Sequence, residues 1–355
     1  MSFLSLSLFL AAGHAAARVY TDDVNEQRKM FENFKVENDR VYESSDVESV
    51  HFDNFVSNLK NIDEFNAEAE ARGESVTFGI TSLMDRNMTE FGSPAEAAPD
   101  NVSEEDMEEG HRKLPSCTSS TTSAFVDWTN TLTTSVNSQG WCLGAHWAFA
   151  VAQQLETDAR REFGNQYVLS AQQLLHCVTS NSGCAVVYSS TNDVMDYALD
   201  YARDQGLYLS STYPYQSNNG WTGGPCYASE GNDEKVRVDG YFSDLINEEG
   251  CMAHYIQNTG PLAVCLSTGS SILTYSGGIM TAASCASGWG GAAYTVCMQV
   301  VGVNLVTGTT PYWKVRGSYG TGWGDGGYGR IAYNSNACNI KQKPVYTSVR
   351  VEGDF

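Results

Sequence analysis

The chain is poor in basic residues and, after its first 17 positions, in long apolar runs. Its 355 residues include 21 Lys and Arg against 42 Asp and Glu, which gives a formal net charge of −21. A surface of this charge repels phosphate backbones, so we expect no nucleic-acid partner. Beyond residue 17 no segment reaches the roughly 18 consecutive apolar residues of a transmembrane helix, and we expect no membrane span there.

One apolar run does stand at the N-terminus, in residues 2–17. It ends in Ala15-Ala16-Ala17 before Arg18, a small-residue pattern typical of signal-peptidase sites. We interpret residues 1–17 as a signal peptide and expect the protein in the secretory pathway, either outside the cell or in the lysosome or vacuole, without membrane contact after cleavage. A membrane anchor is the alternative, although the run is short for a bilayer.

The ten cysteines include no C-x-x-C pair, a spacing typical of structural zinc sites. We therefore expect no metal, and no motif indicates a cofactor. In a secreted chain, ten cysteines predict a disulfide framework. An apolar content of 42% is sufficient for a sizeable core.

The segment 139–149 reads QGWCLGAHWAF. It resembles the nucleophile motif Q-G-x-C-G-S-C-W-A-F of papain-like cysteine peptidases, with one extra residue between Cys142 and Trp147. The resemblance places the attacking Cys of the family at His146. An imidazole does not replace a thiolate as acyl acceptor unless another group activates it. Further blocks resemble the family in order, at residues 169–177, 213–215, 260–264, 275–279, 311–313 and 320–328.

This resemblance runs from Val126 to the C-terminus and is strongest to cathepsin L-like, cruzipain-type members. It implies an α+β, two-lobed papain-like fold, with a helical left half that carries a helix at about 140–158 and a β-barrel right half at about 240–340. The residues agree independently, because Trp147, Val151 and Leu155 have helical spacing whereas the second half is rich in Val, Tyr and Thr.

A helical propeptide domain is predicted before the peptidase-like domain. Apolar residues recur at helical spacing in residues 22–70, at Phe31, Phe34, Val41, Phe52, Phe55, Leu59 and Ile62. The order of His51, Phe55, Asn58, Ile62 and Asn66 resembles the propeptide signature of papain-like zymogens, and residues 78–85 resemble its second block. Val47 and His51 stand at the Glu and Arg of that signature, which puts its buried ion pair in question.

The predicted organisation is therefore a signal peptide at 1–17, an inhibitor I29-like propeptide at 18–92, an acidic linker at 93–120 and a papain-like peptidase domain at 121–355. The basic residues His111-Arg112-Lys113 are a candidate processing site within the linker. The resemblance implies that the propeptide is a ligand of the domain's own cleft.

The resemblance also maps the remaining catalytic positions. The general base falls on Val296, and the six histidines, at 14, 51, 111, 146, 176 and 254, all lie far from it in sequence. The orienting Asn falls on Gly317, the Trp that shields it on Tyr319, and the oxyanion-hole Gln on Gln139, which serves equally well as a structural amide. We predict a catalytically inactive family member that binds an unknown protein or peptide partner, or has a structural role.

Peptide binding is expected to be altered too. The family holds substrate backbone through a Gly, because a residue without Cβ allows close antiparallel approach, whereas this chain reads Cys184-Ala185-Val186-Val187. A side chain at Val187 would stand where the peptide lies. A metal at His146 is a poor alternative, since no second ligand is near it in sequence.

The resemblance implies disulfides Cys142–Cys184, Cys177–Cys226 and Cys285–Cys338, and leaves Cys117, Cys251, Cys265 and Cys297. Cys265 and Cys297 fall on strands that line the family's main specificity pocket. They form either a disulfide that fills the pocket or two buried free thiols, of which we favour the second. The alternative function is a peptidase with a relocated Cys297/His146 dyad, which needs a β-bulge because neighbouring strand residues face opposite sides.

Overall fold

We analysed a computed structural model of the protein. It describes residues 19–92, 121–178, 184, 191–217, 224–226, 233–242, 248–288, 293–341 and 343–353. The predicted signal peptide, the linker with His111-Arg112-Lys113, Cys117 and Val187 lie outside the described residues. Within them, no helix is long and apolar enough to cross a membrane.

The propeptide is a pair of helices, α1 (Val24–Glu37) and α2 (Ser45–Arg72). Asp23 and Ser44 cap their N-termini, each side chain accepting a backbone N–H of the first turn. The α2 helix stops at Gly73, whose φ of 67° is left-handed and suits a residue without Cβ. The predicted apolar stripe is buried, with one correction: Val41 is 84% exposed, because it lies in the loop between the helices.

The remaining helices are α3 (His146–Phe163), α4 (Ala171–Cys177), α5 (Thr191–Asp204), α6 (Glu249–Asn258), α7 (Ser271–Thr274) and α8 (Ala282–Ala286). The strands are β1 (Thr77–Phe78), β2 (Phe125–Asp127), β3 (Leu207–Tyr208), β4 (Lys235–Phe242), β5 (Leu262–Thr268), β6 (Tyr275–Gly277), β7 (Tyr294–Asn304), β8 (Tyr312–Arg316), β9 (Tyr328–Ala332) and β10 (Tyr346–Glu352). The predicted α+β class is confirmed.

Within the described residues, the strands form three antiparallel sheets. In the largest, which has the order β2-β7-β8-β9, β5 pairs with β7 along the same edge as β2 and opposite β8. The second has the order β10-β4-β3, and the smallest pairs β1 of the propeptide with β6. The β4 strand, at the start of the predicted barrel region, also packs beside α5 and α3 of the helical lobe.

The buried apolar residues of the described ranges form two hydrophobic cores, one on either side of the β5–β7 pair. Leu262, Val264 and Leu266 of β5 point into a core shared by the barrel and the propeptide helices. Ala263 and Cys265, between them, point into a second core with α3, α4 and α5. This alternation follows from the two-residue period of a strand, and it places β5 and β7 between the two lobes.

Four disulfides connect the described residues. They are Cys142–Cys184, Cys177–Cys226 and Cys285–Cys338, the pairs implied by the resemblance, and Cys265–Cys297. Each bond of this kind is worth about 2–4 kcal/mol, mainly because it restricts the unfolded chain.

Candidate functional site

His146 is the first residue of α3 and is fully buried. The helix begins here rather than near 140 as predicted, because a 3-10 turn, Leu143–Ala145, takes up the extra residue before it. The backbone N–H of Cys297 donates to Nδ1 of His146 over 3.0 Å. An acceptor nitrogen carries no proton, so a neutral ring must carry its proton on Nε2.

Burial keeps the His146 imidazole neutral. It lowers the pKa of His146 to about 4, and a backbone hydrogen bond with Phe91 opposes this shift to a smaller extent. The Nε2 atom is buried, and among the described residues no well-aligned hydrogen bond reaches it. Nδ1 is therefore engaged as an acceptor and Nε2 is protonated, so neither nitrogen has a free lone pair for attack or proton abstraction.

Val296, at the mapped position of the base, lies on β7 opposite Leu266. It is fully buried and belongs to the core shared with Leu143 and the barrel. The β5–β7 register continues without a shift through Val296 and Cys297. The strand thus turns Val296 to one core and Cys297 to the other, and the bulge that a Cys297/His146 dyad requires is absent from this stretch.

Gly317 and Tyr319 stand at the mapped positions of the orienting Asn and its shield. A Cβ on Gly317 would lie 3.1 Å from Cδ2 of Tyr319 and 3.3 Å from Cζ3 of Trp323, which is tighter than ordinary packing. The ring of Tyr319 is buried edge-on against Trp323, and its hydroxyl has no hydrogen-bond partner among the described residues. Burial raises the pKa of Tyr319.

The side chain of Gln139 is fully buried, and its hydrogen bonds are made within the protein. Its Nε2 donates to the carbonyls of Cys142 and Leu143, at 3.0 and 2.6 Å, and its Oε1 accepts from Oγ of Ser318 at 2.5 Å. Both amide donors are used within the loop. In this conformation Gln139 braces the turn before α3 and presents no free donor to an oxyanion.

The interpretation of Cys265 and Cys297 as free thiols is wrong in the structure, since the two sulfurs are bonded. The residues are direct partners in the β5–β7 ladder, with Cα atoms 3.9 Å apart. Sγ of Cys265 lies 3.0 Å from Sδ of Met195 on α5, and all three side chains are buried. Direct pairing of the two residues in the β5–β7 ladder brings the sulfurs together, so the disulfide alternative is the one that the structure contains.

The propeptide covers this site. The ring of Phe91, at the end of a 3-10 turn (Met88–Phe91), lies 6.2 Å from the His146 ring and 5.9 Å from that of Tyr319. Phe91 is 1% exposed. Upstream, Ser82 Oγ donates to the Tyr319 carbonyl and its N–H donates to the Gly322 carbonyl.

Trp141, which precedes Cys142, is surrounded by propeptide side chains. The guanidinium groups of Arg40 and Arg86 each lie 4.9 Å from its ring centroid. The rings of Tyr42 and His51 meet it edge-on at 5.5 and 5.1 Å. We call Trp141 and these four residues the Trp141 cage. The sequence motif contained Trp141, but only the folded chain shows its partners.

The propeptide contains a buried ion pair, but it is formed by residues other than those at positions 47 and 51. Asp85 is fully buried, and Arg40 Nε lies 3.3 Å from its Oδ2, which also accepts from the Tyr42 hydroxyl at 3.0 Å. His51 Nδ1 lies 2.8 Å from the Asp85 backbone oxygen. Arg40 thus supplies the cation from the α1–α2 connection, whereas Val47 is exposed.

Beneath the cleft, a buried polar network joins the two lobes. Arg316 of β8 donates to the Thr134 carbonyl at 2.7 Å and to Gln299 Oε1 at 2.7 Å. Glu156 of α3 accepts from Thr134 Oγ1 at 2.6 Å and from the Leu169 N–H at 2.8 Å. Burial raises the pKa of Glu156 and lowers that of Arg316, and in each case the other charge opposes the shift.

Comparison with known proteins identifies the class to which this fold belongs. Residues 122–348 match the model of the papain family cysteine proteases, and residues 31–91 match that of the cathepsin propeptide inhibitor domain (I29). The chain therefore belongs to the papain family of cysteine proteases and carries an I29 propeptide domain.

Relatives and solved structures agree with this assignment. The chain is 31% identical over 327 residues to cysteine proteinase 2 of Leishmania pifanoi, covering 90% of this chain and 69% of that protein. It is 27% identical to ananain of Ananas comosus, covering 98% and 95%. Procathepsin L 3 of Tenebrio molitor superposes with a TM-score of 0.69 at 26% identity, covering 91% and 99%. The papain-like fold with its propeptide is thus confirmed.

Proposed function

We propose that this chain is a catalytically inactive member of the papain family, which acts by binding a protein or peptide partner. The observation that carries the proposal is the hydrogen bond from the Cys297 N–H to Nδ1 of His146. It holds the residue before Trp147 as a neutral imidazole with its proton on Nε2. A group in this state is neither a nucleophile nor a base.

The sulfur chemistry supports the same proposal. None of the cysteines in the described ranges is free, and Cys297 is bonded to Cys265. A disulfide sulfur is not a thiolate nucleophile. The relocated Cys297/His146 dyad is opposed by that bond and by the continuous β7 register, so we do not favour it.

Entry into the secretory pathway is part of the proposal. It is supported by the leader-like run in residues 2–17 and by four disulfides, which persist in oxidising compartments. Detection of the protein in conditioned medium or in isolated lysosomes or vacuoles, with its N-terminus after residue 17, tests this part.

Thiol-directed active-site probes test the catalytic part. After cleavage at a protease site placed within residues 93–120 and separation of the propeptide, which removes Phe91 from the site, the peptidase-like domain is expected to show no labelling by epoxide or vinyl-sulfone probes and no cleavage of peptide amides, while ananain is labelled in parallel. Thiol-dependent turnover that Cys297→Ser abolishes would overturn the proposal in favour of the relocated dyad.

A rescue experiment tests the reason for inactivity. The variant His146→Cys, Val296→His, Gly317→Asn supplies the family's residue types, yet little activity is expected. The Cβ of residue 317 crowds Tyr319 and Trp323, and the turn before α3 is one residue longer. Turnover approaching that of ananain, in a variant that unfolds at the wild-type temperature, would show that the three side chains alone account for the loss.

A further inference from the structure

The segment Asn87-Met88-Thr89 lies in the chain between Arg86 of the Trp141 cage and Phe91 over His146. It has the N-x-T pattern, with a central residue other than Pro, that marks acceptors of N-linked glycans. Such a short pattern is common, so its meaning depends on the folded geometry. An N-linked glycan is bulky and requires an acceptor at the protein surface.

Burial alternates along this segment. Arg86 is 2% exposed and Met88 is 8% exposed, whereas Asn87 is partly exposed and Thr89 is exposed. The two buried side chains hold the backbone on either side of Asn87. Asn87 and Thr89 therefore stand on the side of the propeptide that faces solvent.

The hydrogen bonds of Asn87 establish which atom of its side-chain amide is free. Oδ1 accepts from the Thr89 backbone N–H at 3.0 Å and from the Thr89 hydroxyl at 2.5 Å. A backbone N–H only donates, so the amide atom that it reaches is the oxygen and not the nitrogen. Nδ2 makes no hydrogen bond among the described residues and is not buried. The nitrogen that would carry a glycan is thus accessible.

The same side chain caps the 3-10 turn Met88–Phe91. Glu90 Oε1 accepts from the Asn87 N–H at 2.8 Å, which together with the Oδ1 bond completes a capping box. The cap uses only the oxygen of the Asn87 amide. A substituent on Nδ2 therefore leaves both capping bonds in place.

We propose that Asn87 carries an N-linked oligosaccharide while it caps the turn before Phe91. In the transfer, Nδ2 bonds to the anomeric carbon of a lipid-pyrophosphate-linked oligosaccharide. The bond from that carbon to the pyrophosphate oxygen breaks, and the lipid pyrophosphate leaves as Nδ2 loses one proton. The proposal rests on the secretory entry proposed above, because this modification belongs to secreted proteins. It makes the propeptide edge beside the cleft a glycan-bearing solvent face.

The test expresses the full chain, with its own N-terminal segment, in a secreting eukaryotic cell line. Asn101-Val102-Ser103 has a second N-x-S pattern and lies outside the described residues, so every protein tested carries Asn101→Gln. Treatment of the secreted protein with peptide:N-glycosidase F should increase its mobility on a denaturing gel. It should also convert Asn87 to Asp, which peptide mass spectrometry detects.

Two substitutions at each end of the pattern make the test specific. Asn87→Gln and Thr89→Ala should each abolish the mobility shift, whereas Thr89→Ser keeps the pattern and should keep the shift. Asn87→Asp removes the glycan but retains an oxygen acceptor for the Thr89 N–H. Asn87→Ala removes both, so it should unfold at a lower temperature than Asn87→Asp.

The possible failures are distinguishable. Secreted protein with an unmodified Asn87 overturns the proposal and leaves secretory entry standing. Protein that remains in the cytosol without a glycan overturns both. Equal unfolding temperatures of Asn87→Ala and Asn87→Asp overturn the assignment of Asn87 as the cap.

Discussion

The buried network beneath the cleft and the cleft itself differ in how far their polar groups are satisfied. Arg316 and Glu156 each make at least two hydrogen bonds and face an opposite charge. His146 makes one well-aligned hydrogen bond, and the Tyr319 hydroxyl makes none among the described residues. The charges that join the lobes thus share several hydrogen bonds, although Arg316 Nε has no partner among the described residues, whereas the His146 ring and the Tyr319 hydroxyl are neutral and packed under the Phe91 ring.

The largest effect is expected from breaking the network. Arg316→Met leaves Glu156 buried without its cation, and we expect a loss of about 3–5 kcal/mol in the free energy of unfolding, measured by urea denaturation at pH 7. The double variant Arg316→Met, Glu156→Gln should recover part of this loss, because no uncompensated charge remains. If the free energy of unfolding of Arg316→Met lies within about 0.5 kcal/mol of the wild-type value, Arg316 does not stabilise the network that joins the lobes.

A smaller, pH-dependent effect is expected at His146. Its pKa is lowered to about 4 in the folded protein, below the usual 6.5, so between these values the unfolded chain binds the extra proton. Stability should therefore fall as pH falls from about 6.5 to about 4, by at most about 3 kcal/mol from this group. Urea denaturation of His146→Asn should lack this component.

The matched control for that comparison is His254→Asn on α6, a histidine outside the cleft, which should keep the wild-type difference between pH 7 and pH 4.5. Because other ionisable groups also contribute to the pH dependence of stability, the result is the difference in free energy of unfolding between each variant and wild type at both pH values. A wild-type curve parallel to that of His146→Asn would show that the imidazole is already solvated in the folded protein.

The smallest effect is expected from removing the cover of the cleft. Phe91→Ala opens the space beside the His146 ring, and renewed contact with water should raise the pKa of His146 from about 4 toward 6.5. The shift is measured from the imidazole proton resonances during a pH titration, with Phe163→Ala, an exposed position at the end of α3, as control. An unchanged His146 pKa would mean that residues other than Phe91 exclude water.

Local pattern was sufficient for much of the fold. The helical spacing of Phe31, Phe34 and Phe55 predicted a buried stripe that the structure contains. The same pattern failed at Val41, because a residue in an interhelical loop does not follow the period of either helix. The start of α3 was also misplaced, since the extra residue before it is absorbed by a 3-10 turn that has no distinct sequence signal.

For the site, the sequence by itself determined which residue types stand at the mapped positions: an imidazole at 146, an aliphatic side chain at 296 and no side chain at 317. Identity at a position is a local property, so ordered motifs suffice to locate it. Only the tertiary structure decided the contacts of the site, namely the Cys297–His146 hydrogen bond that fixes the tautomer, the Ser318–Gln139 hydrogen bond, the Cys265–Cys297 bond and the cage around Trp141. Each depends on residues far apart in the chain meeting at distances of a few ångströms, which strand register and propeptide docking impose and which composition and spacing do not encode.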